Sequence, residues 1–240
     1  MAADGDCPSA GSVFHDAGDW SPLAPHPGAL HILAIGSSST AGIGASETAM
    51  TYPAQLAAML ARDGTTVDIE NAGVSGETAD ATIGRLEQAV AGGGYDLVIW
   101  QVGTNDAVRG GDIGAFQAQV SRGIAAVRQA GSRLVLLNQQ FYPGVKDVAA
   151  YERFVHVVDA LGAANKVAVF SRYAMMKAWS NTDGLLLAML SPDRFHMNDS
   201  GYRCVAEGLA RRIAEIVPAG PEKAPAAGTV TAVRVSAPQD

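Results

Sequence analysis

Five short apolar runs punctuate the chain, each rich in Val, Ile and Leu: LHILAIG (30–36), TVDIEN (66–71), DLVIWQVG (96–103), RLVLLN (133–138) and KVAVF (166–170). Apolar and polar positions hardly alternate in them, as expected of strands covered on both faces. They predict five parallel strands. Between them run longer segments of helical spacing, near 52–63, 78–91, 113–130 and 147–164, and a last one near 199–216 with Val205, Leu209, Ile213 and Ile216 as its apolar stripe. Thr51, just before Tyr52 and Pro53, has the signature of a helix N-cap, because its hydroxyl can take an orphan N–H and proline suits the first turn. Strands and helices in this alternation predict an α/β fold, a three-layer αβα sandwich around a doubly wound sheet. Ligands of such a sheet sit beyond the C-terminal ends of its strands.

After Val217 the chain shifts to PAGPEKAPAAG, the composition of a linker or tail. The expected organisation is an N-terminal arm (1–29), one domain (30–217) and a Pro/Ala-rich tail (218–240), within which TVTAVRV (229–235) offers an edge strand. A length of 240 residues suits one sizeable core. The net charge is -7 and the Lys and Arg residues are scattered, which argues against nucleic acid or an anionic membrane surface as partner. No run approaches the roughly 18 apolar residues of a membrane span. The opening MAADGDCPSAG resembles a start codon joined to the mature end of an exported protein, so a periplasmic or secreted location is expected. Two cysteines, Cys7 and Cys204, allow one intramolecular bridge, which would pin the arm; otherwise they are two unrelated thiols. In the chain-entropy model so long a loop contributes roughly 4 to 5 kcal/mol.

The strand-end rule makes GSSSTAG (36–42) the segment to explain, since three serines follow the first strand. A serine there needs a base within reach and donors for the oxyanion formed when it attacks a carbonyl. The other strand ends supply them. NAGVSGET follows the second strand, with Gly73 and Gly76 able to turn tightly and free a backbone N–H. VGTNDAVRG follows the third, with the Asn105 amide, and SPDRFHMNDSGY places Asp193 and His196 just before the last helix. Taken singly, each of these residues is an ordinary turn or cap residue. Together with a serine they contain every part of an acyl-transfer site. His15, His26, His31 and His156 lack the partner spacing of a metal site, and no cofactor is expected.

The blocks AIGSSSTAGIG, NAGVSGET, QVGTNDA and SPDRFHMND, in this order over residues 30–216, resemble the SGNH (GDSL) hydrolase superfamily. The resemblance implies a flavodoxin-like fold and a serine esterase working through an acyl-enzyme. It makes Ser38 the nucleophile, His196 the general base and Asp193 its orienting carboxylate, with an oxyanion hole from the N–H of Ser38, the N–H of Gly76 and the amide of Asn105. Where the superfamily usually has aspartate before the nucleophile, this chain has Ser37, which leaves Ser37 and Ser39 as rival nucleophiles. Gln139, Gln140 and Tyr142 follow the fourth strand and are expected to line the crevice. RYAMMKAW (172–179) is expected to wall it with Met175, Met176 and Trp179, or else to pack into the core. The substrate expected of this set is a small acyl ester, such as acetyl, on a carbohydrate or cell-envelope glycan. The alternatives are a lysophospholipase or thioesterase, a glycan-acting transferase or glycosidase, and a non-catalytic carbohydrate-binding protein.

Overall fold

The computed structural model describes residues 7, 13–15, 18, 20–23, 28–217 and 232–235. Seven strands form one sheet: β1 (Phe14–His15), β2 (Leu30–Gly36), β3 (Val67–Gly73), β4 (Leu97–Gln101), β5 (Arg133–Leu137), β6 (Ala168–Phe170) and β7 (Ala232–Val235). The helices are α1 (Ser38–Ala41), α2 (Tyr52–Arg62), α3 (Ala79–Ala91), α4 (Thr104–Val108), α5 (Ile113–Gln129), α6 (Val148–Asn165), α7 (Arg172–Trp179), α8 (Leu185–Ala188) and α9 (Asp199–Ile216). The five strands and five long helices expected from the apolar pattern are all present, with ends shifted by a few residues. Thr51 caps α2 by accepting the N–H of Ala54 at 3.4 Å.

The sheet order is β1-β6-β5-β4-β2-β3-β7. The central five strands pair in parallel throughout. The edges carry two additions. β7, from the segment 229–235, runs parallel to β3, and β1, from the arm, pairs antiparallel with β6. Successive residues of the inner strands feed opposite layers. Leu30, Ile32 and Ala34 face the core shared with α2 and α9, while Leu33 and Ile35 face the one shared with α3, α5 and α6. β4 and β2 beyond His31 are buried on both faces, so their sequences do not alternate, whereas β3 sets buried Val67 and Ile69 against partly buried Asp68 and Glu70.

Chain order and spatial order part company at β2, whose neighbours are β3 on one side and β4 on the other. The crossovers leave β2 in opposite directions there and open a crevice at the strand ends, the switch point of a doubly wound sheet. Ser38 follows β2 and Asn105 follows β4, so both stand at that crevice. Cys7 and Cys204 are joined by a disulfide that fastens the arm to α9. Val13 accepts the N–H of Ser171 at 2.6 Å, and Leu23 donates to Ile216 at 2.7 Å. No helix among the described residues is long and apolar enough to cross a membrane.

Candidate active site

The turn that carries Ser38 is buried and clamped from several elements. The side-chain oxygen of Gln101, at the end of β4, accepts the N–H of Ser37 at 2.9 Å, its hydroxyl at 3.0 Å and the Thr40 hydroxyl at 3.4 Å. The amide of Asn71, on β3, donates to the Thr40 carbonyl at 2.8 Å. Ser39 donates to the side-chain oxygen of Gln140 at 3.1 Å. The close approach of β3 requires a glycine, because a Cβ on Gly73 would lie 2.1 Å from the Ala41 nitrogen. Ser37 thus supports the turn as a donor to Gln101.

His196 arrives on the loop before α9. That loop is drawn closed by the Leu190–Met197 bridge and by the N–H of Ser191 donating to the His196 carbonyl at 2.8 Å. Within it, one oxygen of Asp193 accepts the Ser191 hydroxyl at 2.6 Å and the N–H groups of Phe195 and His196 at 2.9 Å each. This is an Asx-type turn. Arg194 completes it at φ 57, a left-handed conformation unusual for a side chain other than glycine or asparagine. The other Asp193 oxygen lies 2.6 Å from Nδ1 of His196, whose Nε2 lies 2.9 Å from Oγ of Ser38. Burial raises the Asp193 pKa, but the hydrogen bonds from Ser191, the His196 ring and the two backbone N–H groups outweigh it and hold the carboxyl well below its usual range. An ionised carboxylate only accepts, so Nδ1 of His196 bears a proton. In the neutral ring Nε2 is then free to accept from Ser38.

The donors expected opposite Ser38 come from two loops. Gly76 holds φ 84, which favours glycine, and its carbonyl accepts from Arg109 Nη2 at 2.8 Å. The Asn105 amide donates to the Glu77 carbonyl at 2.7 Å, so Asn105 on α4 and Arg109 just after it grip two successive carbonyls of the glycine loop. The N–H groups of Ser38 and Gly76 have no hydrogen-bond acceptor among the described residues, and the Asn105 amide keeps its second hydrogen. A hydroxyl paired with a carboxylate-oriented imidazole can carry out nucleophilic acyl transfer once N–H donors receive the oxyanion, the part expected of Ser38, Gly76 and Asn105. Among the described residues no group of three or more His, Cys, Asp or Glu is placed to hold a metal ion.

The residues expected to line the crevice divide. Tyr142 is half-buried and its ring meets that of Phe195 at 4.7 Å; Phe195 in turn meets His196 at 4.8 Å, so an aromatic edge leads to the imidazole. Gln139, Gln140 and Trp179 are corrected: all three are inside the protein. The Gln139 amide packs against the backbone of Gly103, where a Cβ would come within 2.2 Å of it. Trp179 lies with Met175 and Met176 on the core face of α7, so that apolar stripe is packing. Gln140 is spanned between Ser39 and the Phe195 carbonyl, which accepts from its Nε2 at 2.8 Å. Three supports of the site went unread in the sequence: Gln101, Ser191 and Phe195. Gln101 had a signal, as the lone amide in an otherwise apolar strand.

A central parallel sheet with serine at its switch point, faced by an Asp-x-x-His loop and an Asn-bearing helix, defines an esterase of the SGNH/GDSL type. The chain belongs to the Non-GDSL lipase-like family, whose model matches residues 24–219; Gly36-Ser37-Ser38-Ser39 stands where the GDSL sequence would fall. It is similar to esterase TesA of Pseudomonas aeruginosa, with 29% identity over 149 residues, 61% of this chain and 72% of that protein. A crystal structure of TesA superposes with a TM-score of 0.68 at 24% identity, covering 78% of this chain and 99% of that one. An acetyl-xylooligosaccharide esterase from Geobacillus shares the fold with a TM-score of 0.64 at 19% identity, covering 76% of this chain and 93% of that one.

Proposed function

We propose that this esterase removes a small acyl group, such as acetyl, from a carbohydrate or cell-envelope glycan, with Ser38 as the nucleophile. The observation that carries the mechanism is the unbroken chain from Ser38 Oγ through His196 to Asp193, at 2.9 and 2.6 Å. Ser38 Oγ attacks the acyl carbon while Nε2 of His196 takes its proton. Asp193 holds the Nδ1–H and stabilises the imidazolium. The carbonyl oxygen becomes an oxyanion that accepts from the N–H of Ser38, the N–H of Gly76 and the amide of Asn105. The C–O bond to the leaving alcohol then breaks and His196 returns its proton to that alcohol. Water attacks the acyl-Ser38 carbonyl, gives a proton to His196, and releases the acid as Ser38 regains it.

His196 protonates the leaving group, so the aromatic edge of Phe195 and Tyr142 beside it lies where the alcohol departs. A ring-bearing alcohol such as a sugar can lay an apolar face there. The fold likeness to an acetyl-xylooligosaccharide esterase supports the same substrate class. A longer acyl chain is the second reading. It is favoured by Ile43 and Val108, which are 44% and 46% exposed shortly after α1 and at the end of α4. The Cys7–Cys204 bridge supports a periplasmic or secreted location; two thiols titrating in denatured, unreduced protein would remove that support.

The test is hydrolysis of p-nitrophenyl esters from acetate to octanoate by the wild type and Ser38→Ala, followed by acetylated xylo-oligosaccharides. The proposal expects the fastest turnover on acetate, release of acetate from the glycan, and loss of both in Ser38→Ala. Fastest turnover on octanoate with no glycan deacetylation replaces it with the acyl-chain reading.

A further inference from the structure

Gln140 is wholly buried and meets no solvent, yet each of its polar groups is bonded beside a different part of the site. Its side-chain oxygen accepts the hydroxyl of Ser39, next to Ser38, at 3.1 Å. Its side-chain nitrogen donates to the carbonyl of Phe195, next to His196, at 2.8 Å. Its backbone N–H reaches the hydroxyl of Thr104, next to Asn105, at 3.4 Å. Its carbonyl accepts from Tyr151 at 2.7 Å, which ties the whole to α6. The segment between β5 and α6 is therefore the common anchor of three loops that are far apart in sequence.

We infer that Gln140 is a positioning residue for the reaction: through Ser39 and Phe195 its amide sets the separation between Ser38 Oγ and His196 Nε2. The inference rests on the proposed roles of Ser38 and His196. The two ends of the amide do different work. The oxygen ties the buried Ser38 turn, and the nitrogen adds a link from another element to the His196 loop, which is also closed by its own Asx turn, the Leu190–Met197 bridge and the bond from Ser191 N–H to the His196 carbonyl. A hydrogen bond of the proton-transfer pair tolerates little error, and displacement by about 1 Å can cost about a hundredfold in rate. Gln140 is itself fully buried and its nearest effect is on the Ser38–His196 pair, so on a substrate with a small acyl group and no sugar its loss is expected to fall on kcat more than on KM.

The test compares wild type, Gln140→Leu, Gln140→Glu, Ser39→Ala and the double variant Ser39→Ala/Gln140→Leu on p-nitrophenyl acetate, with Ser38→Ala as the control for the reaction itself. Gln140→Leu keeps the volume and removes both side-chain bonds. It is expected to lower kcat about ten- to a hundredfold with KM within about twofold. Gln140→Glu keeps an acceptor for Ser39 and is expected to fall between it and the wild type. Ser39→Ala is expected to lower kcat by a smaller factor and to add little to Gln140→Leu, because the two residues share one link. If Gln140→Leu fails to fold, Gln140→Glu and Ser39→Ala carry the same comparison. A folded Gln140→Leu with kcat within twofold of wild type, or a loss expressed in KM alone, overturns the inference while Ser38→Ala remains inactive. If Ser38→Ala is as active as the wild type, the proposed nucleophile fails instead.

Discussion

The turn that carries Ser38 and the loop that carries His196, the proposed nucleophile and base, meet at a 2.9 Å hydrogen bond but are organised in opposite ways. The turn is interior: Ser37, Ser38, Ser39 and Thr40 are all buried and are held by Gln101, Asn71 and Gln140 from three other strand ends. The loop is at the surface, with the Asp193 side chain 44% exposed, and holds its shape largely by hydrogen bonds to its own carboxylate. The serine is thus placed by tertiary packing, and the histidine chiefly by local turn chemistry with one tie to another element, from Gln140 to the Phe195 carbonyl. Errors in the turn should cost stability as well as rate, and errors in the loop chiefly rate.

Substitutions that separate the two costs test that difference. His196→Ala is expected to lower kcat by about 10⁴-fold or more while the melting temperature stays within a few degrees. A large loss of stability would show that the loop is a packing element. Gly73→Ala attacks the turn instead, driving a Cβ into the Ala41 backbone. It should destabilise by about 1–3 kcal/mol or more, read by urea unfolding, whereas an unchanged midpoint would show that the turn can yield. Ser37→Ala leaves the Gln101 oxygen two of its three donors and is expected to cost about 1 kcal/mol, with activity reduced far less than in His196→Ala. The smallest effect concerns pH. The folded-state value of Asp193 is depressed, so its carboxylate contributes stability that is fully present above about pH 4 and lost as pH falls through the lower folded value. Because the group is exposed, the difference between wild type and Asp193→Asn should be under about 1 kcal/mol at pH 7 and should shrink below pH 4 in melts run from pH 3 to 7.

The same contrast explains what was legible in the sequence. The inner strands could be read because a continuous apolar run such as LVIWQ has no solvent face to report. The base loop could be read because Asp193 and His196 lie close in the chain and build their geometry locally. The packing around the turn could not. Gln139 and Gln140 follow a strand end, where a polar side chain faces the crevice or the interior according to partners that only the fold supplies. Met175, Met176 and Trp179 have helical spacing, which marks a face without saying what covers it. β1 is two residues long and exists because the arm is laid against β6, so it left no periodic signal. The serine in place of aspartate at 37 became interpretable once Gln101 was seen to accept from it.

The most direct test of the account is to label the protein with a fluorophosphonate and locate the adduct by mass spectrometry. Attack by an activated serine forms an O–P bond and expels fluoride, leaving a stable mark on the nucleophile. The account requires one adduct per chain, on Ser38, formed far more slowly in His196→Ala and absent in Ser38→Ala. An adduct on Ser37 or Ser39, or ester hydrolysis that persists in Ser38→Ala, would contradict it.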